Sequence, residues 1–131
     1  MSLFITFEGG EGSGKSVQAK TLFRRLSRLN IPTVLTHEPG GTPFGKKLGR
    51  WLKWTQGTDI SPLVELMLFN ASRAQLVAEV IQPGLKGGTV VISDRFADST
   101  TAYQGYGRGL DLEMVKAINN AATQGLKPTL T

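Results

Sequence analysis

The run Gly9-Gly10-Glu11-Gly12-Ser13-Gly14-Lys15-Ser16 constrains this chain more than any other segment. It satisfies Gly-x-x-x-x-Gly-Lys-Ser/Thr, and its flanks have the right character. Before it, Leu3-Phe4-Ile5-Thr6-Phe7 is an apolar run suited to one strand buried on both faces of a parallel sheet. After it, Lys15 to about Leu29 interleaves basic residues with apolar ones at Val17, Leu22, Leu26 and Leu29, a helical pattern. Glycines let the backbone turn tightly and aim successive N–H groups at phosphate oxygens. The emerging helix adds uncapped donors and the positive end of its dipole. Lys15 is then expected to reach the β- and γ-phosphates of a nucleoside triphosphate, and the Ser16 hydroxyl to take a place around Mg²⁺. The loop alone does not separate a kinase from a GTPase or a motor.

The remaining pattern predicts an α/β fold. Thr33-Val34-Leu35-Thr36 reads as a second strand, closing a strand–helix–strand unit with a right-handed crossover. Phe44 to Trp54 reads as a helix with Leu48, Trp51 and Leu52 on its apolar side. Gly57 to Pro62 reads as a loop, and Leu63 to Val80 as the longest helix, interrupted by Pro83 and Gly84. Thr89 to Ser93 is a further buried strand, Leu112 to Ala122 a helix, and Pro128-Thr129-Leu130-Thr131 the entry to another strand. Because a doubly wound sheet normally continues past such an entry, the chain reads as a truncated part of a longer enzyme.

Ligands in open parallel sheets collect beyond the carboxyl ends of the strands, which places Asp94-Arg95 in the same crevice as Lys15. Arg95 offers a planar donor fork for phosphate oxygens. Asp94 suits metal-bound water, the acceptor's local network, or a plain ion pair with Arg95. Arg73 follows Phe69 by one helical turn, so one face presents an aromatic surface for a base and a cation for a phosphate. Ser99, Tyr103 and Gln104 supply groups for a nucleoside, and Gly105-Tyr106-Gly107-Arg108-Gly109 forms a cationic loop. Glu38 either pairs with an acceptor-side arginine, binds ligand-linked water, or is a turn carboxylate held by backbone donors. His37 is the single histidine and there is no cysteine, so a zinc centre or a His-based nucleophilic device is not expected.

Composition narrows the classes further. With 131 residues, 40% of them hydrophobic and 19% charged, the chain suits one soluble domain without disulfides. The net charge of +5 is densest at Lys20, Arg24, Arg25 and Arg28, on the helix directly after the phosphate loop. That placement favours a small phosphorylated ligand over general nucleic-acid binding. No apolar run approaches the roughly 20 residues needed to cross a bilayer. Met1-Ser2-Leu3 lacks a basic leader, so neither membrane association nor a cleaved signal is expected, and the cytoplasm is the default.

In combination these motifs resemble bacterial-type thymidylate kinase. The matching pieces are Phe7 to Ser16, Glu38-Pro39-Gly40-Gly41-Thr42, Leu68-Phe69-Asn70-Ala71-Ser72-Arg73, Asp94-Arg95-Phe96, and Ser99 to Gly109. The first is shared by many nucleotide-binding proteins; the other four, in this order, are specific. The resemblance implies a P-loop NTPase-type three-layer α/β/α fold with a mostly parallel sheet. Residues 1–131 would be the N-terminal and central part of a single kinase domain. It implies phosphoryl transfer from ATP to dTMP with Mg²⁺, in a homodimer. Gly9, Gly10, Glu11, Gly12, Ser13, Gly14, Lys15 and Ser16 then bind ATP, with Lys15, Arg95 and Glu11 catalytic. Glu38, Phe69, Arg73, Arg95, Ser99, Tyr103 and Gln104 bind dTMP, and Ser16, Asp94 and Glu8 serve the metal, the last two through water. One departure is Pro128-Thr129-Leu130-Thr131, where the family commonly has Pro-Asp-Leu-Thr. The lid that carries the family's catalytic arginines would lie beyond this chain. The alternatives are another nucleoside or nucleoside monophosphate kinase and, more remotely, a P-loop regulatory NTPase or nucleotide-binding module.

Overall fold

The structure, a computed structural model, describes residues 2–9, 14–54, 60–96 and 109–131; the side chains of residues 53 and 54 are not described. Strands β1 (Phe4–Phe7), β2 (Thr33–His37) and β3 (Val90–Asp94) form a parallel sheet in the order β1-β3-β2. The register pairs Phe7 with Asp94 and His37 with Asp94, so the three strands end level. The sequence-based strand–helix–strand unit is present, but β3 is inserted between its two strands. Val90 to Ser93 are all buried, and a strand apolar on both faces loses most at a sheet edge.

Helix α1 (Lys15–Arg28) covers one face of the sheet, where Ala19, Leu22, Phe23 and Leu26 meet Ile5, Leu35, Val90 and Ile92. Val17 and Leu29, expected on this apolar face, are instead 66% and 68% exposed. Ala19 sets the buried direction, and Val17 lies about 200° from it around the helix axis.

The opposite face is covered by the last turn of α3 (Pro62–Leu76) and the helical path that follows it, where Leu76 joins Val77, Ile81, Phe4, Val91 and Phe96 in a second core. Helices on both faces make the three-layer α/β/α arrangement. Ser61 starts α3 cleanly: its Oγ accepts the Val64 N–H at 3.2 Å, and Pro62 occupies the first turn.

The helical path does not stop at Pro83. It runs on through a π-helical turn (Val77–Ile81) into α4 (Gln82–Lys86). The Gln82 N–H reaches back five residues to the Val77 carbonyl. Pro83 then enters in the first turn of α4, where its missing N–H costs nothing. The π turn also keeps Val77 and Ile81 directed into the core.

Between β2 and α3, helix α2 (Pro43–Trp54) packs on α3. Thr42 Oγ1 caps its start by accepting the Gly45 N–H at 2.9 Å. Leu52 is buried, but Trp51 is 44% exposed, so the apolar side is narrower than the spacing suggested. Helix α5 (Leu112–Thr123), capped by Asp111, also packs on α3.

The expected strand entry at the end is present. Leu130 bridges Ile5 in parallel, and the Thr6 N–H donates to the Leu130 carbonyl at 3.0 Å. Thr129, the departure from the family pattern, accepts the Phe4 N–H on its Oγ1 at 3.1 Å. Its hydroxyl thus provides an acceptor of the kind an aspartate would offer there.

Candidate functional site at the carboxyl edge of the sheet

Alternation along the strands divides the carboxyl edge into two sides. On the α1 side, Gly14 turns the chain into α1 with φ 82, and its carbonyl accepts the Gln18 N–H at 3.0 Å. The first turn carries no acidic residue, which leaves the positive end of the helix dipole uncompensated for an incoming anion. One residue on, Ser16 Oγ donates to Asp94 Oδ2 at 2.5 Å. Asp94 Oδ1 is buried and has no hydrogen-bond partner among the described residues.

A hydroxyl beside a carboxylate with an unsatisfied oxygen is a hard-oxygen donor set, which suits Mg²⁺ completed by substrate phosphates and water. No group of three or more His, Cys, Asp or Glu that could hold a metal occurs among the described residues.

On the α3 side, Arg73 is 1% exposed and its guanidinium is held on several sides. Nε donates to Glu38 Oε1 at 2.7 Å, and Nη1 donates to Asn70 Oδ1 and Asn119 Oδ1, both at 3.1 Å. Nη2 donates to the Phe96 carbonyl at 3.2 Å. Its Cζ lies 5.5 Å from the Phe96 ring centroid, a cation–π distance. Phe96 in turn meets Phe4 edge-on at 4.9 Å, which ties the arginine to the core of the sheet. Of the partners the sequence left open for Glu38, the structure shows an arginine, Arg73.

Burial drives the Glu38 carboxyl up from 4.5 to about 7; the Arg73 charge and hydrogen bond pull the other way, and Glu8 adds to the rise. Glu38 Oε2 is buried without a hydrogen-bond partner among the described residues. The two sides meet through the backbone, since the Glu38 N–H donates to the Asp94 carbonyl at 3.0 Å. The turn that carries Glu38 is docked on α3, where the Gly40 N–H donates to the buried Ser72 Oγ at 3.2 Å.

Arg95 has φ 77, a conformation that non-glycine residues seldom adopt. Its N–H donates to the Phe7 carbonyl at 2.9 Å, and Ser93 Oγ donates to its carbonyl at 2.7 Å. Such strain is characteristic of sites where the surrounding fold fixes a side chain's direction for a purpose. Phe69 is half-buried one turn before Arg73. Glu8 lines an open cleft of about 490 Å³, together with Phe96, Asn119, Thr123, Leu126 and Thr131.

The sequence model of the family described as "Thymidylate kinase" matches residues 7–131. The chain belongs to the thymidylate kinase family. It is 61% identical over 131 residues to the thymidylate kinase of Dehalococcoides mccartyi strain CBDB1, covering all of this chain and 63% of that relative. Over the same 131 residues it is 53% identical to the thymidylate kinase of Roseiflexus sp. strain RS-1, covering 58% of it. The crystal structure of thymidylate kinase from Ehrlichia chaffeensis matches with a TM-score of 0.89 and 42% identity, over 97% of this chain and 71% of that one. The chain thus spans about six-tenths of the length of these curated thymidylate kinases.

Within this family member the structure joins Ser16 to Asp94 and Glu38 to Arg73, and it brings Lys15, Glu8 and Arg95 to the same edge. The assignments at Gly10, Glu11, Gly12, Ser13, Ser99, Tyr103, Gln104 and Arg108 lie outside the described residues. Asn70, Asn119 and the Phe96 carbonyl were not anticipated from sequence. Asn70 stands three residues before Arg73, a helical spacing that signals contact. Asn119 stands 46 residues away, and nothing local points to it.

Proposed function

We propose that the full-length protein transfers the γ-phosphoryl group of ATP to dTMP, giving dTDP and ADP. One observation carries the reading: a phosphate-loop helix with a serine–aspartate pair on one side of β3, and a held arginine on the other. The two are linked by the Glu38 N–H to Asp94 carbonyl bond. Such a layout suits two phosphorylated ligands meeting end to end across one strand terminus. Membership of the thymidylate kinase family supports dTMP as the acceptor.

The chemistry asks little covalent help from side chains. An acceptor phosphate oxygen attacks the γ-phosphorus in line as ADP leaves, and because the acceptor is already an anion no strong base is needed. In this reading Lys15 and the loop amides hold the donor phosphates, while Arg73 and Arg95 hold the acceptor phosphate. Phe69 stacks on the base, with Ser99, Tyr103 and Gln104 around the nucleoside. Mg²⁺, held at Ser16, with Asp94 and Glu8 serving it through water, would supply charge neutralisation at the transferring group.

We read residues 1–131 as part of one kinase domain acting in the cytoplasm; no described helix is long and apolar enough to cross a membrane. A homodimer is supported by α3, which has apolar residues on both sides. Leu66 and Leu76 face inward, whereas Leu63, Val64 and Met67 are 37%, 43% and 53% exposed, and Phe44 and Trp51 of α2 are exposed as well. An apolar cluster left exposed on a helix is a candidate contact surface.

The test offers the full-length protein ATP, Mg²⁺ and each nucleoside monophosphate separately and follows diphosphate formation. We expect dTDP as the preferred product. Arg73→Lys, which keeps the charge but loses the fork, should lower kcat/KM for dTMP by about tenfold or more. The KM for ATP should stay near the wild-type value in that variant, and Lys15→Ala should mainly damage ATP use. Formation of another diphosphate without dTDP, or an Arg73→Lys variant with unchanged dTMP kinetics, would reject the assignment.

A further inference from the structure

The single histidine of the chain ends β2, level with Asp94 at the end of β3. Alternation along β2 fixes the side to which it points. Leu35 packs in the core beneath α1 with Ala19, Val90 and Ile92. Thr36 is turned to the other face, where a Cβ at Gly41 would meet both Thr36 Oγ1 and Leu76 Cδ1. His37 therefore shares the α1 side with Leu35. On β3 the same alternation carries Ile92 and then Asp94, which accepts from Ser16 of α1. Because the register pairs His37 with Asp94, the two side chains are neighbours on one face, with strand axes about 4.8 Å apart.

Two features suit the imidazole to a ligand. It is exposed, whereas Thr36 before it and Glu38 after it are only 5% and 7% exposed. It is also held: a Cβ at Gly40 would stand 2.6 Å from His37 Nε2 and 3.2 Å from Cδ2. The turn after β2 closes against the ring, and a residue without a side chain lets it do so.

Sheet order then decides which ligand the ring meets. Strand β3 lies between β1 and β2, and the phosphate loop leaves β1. A donor triphosphate seated on that loop reaches Asp94 from the β1 side. An acceptor that meets it in line comes from the β2 side, where His37 stands. Imidazole donates an N–H to a phosphate oxygen whether it is neutral or charged.

We infer that His37 is a contact residue for the acceptor's phosphate, held at the end of β2 by the close approach of Gly40. The inference rests on the proposed transfer to dTMP, but not on which arginines meet the same phosphate. It gives the end of β2 a direct part in telling a phosphorylated acceptor from a bare nucleoside.

The test compares the wild-type full-length protein with His37→Ala and His37→Gln. Binding of dTMP and of thymidine, the same nucleoside without its phosphate, is measured by titration calorimetry, and KM is measured for dTMP and ATP. His37→Ala should weaken dTMP binding about tenfold or more, the scale of one hydrogen bond to a charged group. Thymidine binding and the KM for ATP should stay at wild-type values. His37→Gln keeps an N–H donor at similar reach and should recover part of the loss. Since the side chain is exposed, both variants should melt with the wild type.

Equal losses for dTMP and thymidine would show that the ring only shapes the turn, and would overturn the inference. Wild-type dTMP binding in His37→Ala, in a protein that makes dTDP, would overturn the inference alone. A wild-type protein that makes no dTDP would overturn it together with the reading beneath it.

Discussion

Glu38 holds its carboxyl where water cannot follow, and that determines how the site responds to pH. Burial raises it from 4.5 to about 7, with Arg73 opposing and Glu8 assisting. The folded protein therefore keeps a proton there that the unfolded chain has released, so stability decreases as pH rises between those values. The contribution is fully present below about pH 4.5 and is lost as pH passes through about 7. Melting temperature should thus decline between about pH 5 and about pH 8, and Glu38→Gln, which imitates the protonated form, should flatten part of that decline. Superimposable wild-type and Glu38→Gln profiles would show that the group does not titrate in this window. Arg95 makes the complementary residue-scale point. Its type and its place after a buried strand were legible in the sequence, but its φ of 77 was not. Backbone strain at a non-glycine residue is imposed by neighbours and leaves no mark in local composition.

At the scale of elements, the Glu38–Arg73 contact depends on how closely the turn after β2 approaches α3. Gly41 has φ 78, and a Cβ there would meet Thr36 Oγ1 and stand 2.7 Å from Leu76 Cδ1. Gly41→Ala should destabilise the fold by about 2 kcal/mol or more, read as a lowered denaturant midpoint with an unchanged slope. A midpoint equal to wild type would mean that the turn does not need this close approach.

Elements with strong local signals match expectation: β1, β3 and α1 after its glycine loop; α3 begins at Pro62, one residue before the expected Leu63, because Ser61 caps it. The misjudged ones are those where tertiary packing overrides a local rule. Pro83 is a helix breaker by propensity, yet the π turn before it lets the path continue because Val77 and Ile81 gain a place in the core. Val17 and Leu29 fit the helical spacing of α1 but fall outside the direction that Ala19 buries.

For the whole molecule, the exposed apolar face of α2 and α3 carries a prediction about assembly. Met67 is 53% exposed beside Leu63 and Val64 on α3, and α3 turns Asn70 and Arg73 inward one turn later. If two copies meet there, Met67→Glu would place two buried like charges in the interface, and the full-length protein should shift from dimer to monomer in analytical ultracentrifugation. A wild-type protein that sediments as a monomer at tens of micromolar, an order-of-magnitude concentration for such measurements, would remove that interface. Because Arg73 lies on the same helix, dTMP KM measured alongside would show whether assembly also affects dTMP use.

The sequence by itself determined the phosphate loop, the parallel α/β class and the chemical types gathered at the sheet's edge, because glycine spacing, helical period and apolar run length are local properties. It also carried the Phe69–Arg73 face and the Asp94-Arg95 position, since both follow from where a strand ends or a helix turns. Only the tertiary structure decided that β3 separates β1 from β2, that Ser16 meets Asp94, and that Glu38, Asn70 and Asn119 converge on Arg73. Those contacts join residues far apart in the chain, and their selection depends on which side chains fill the same buried volume, a quantity that no single stretch of sequence contains.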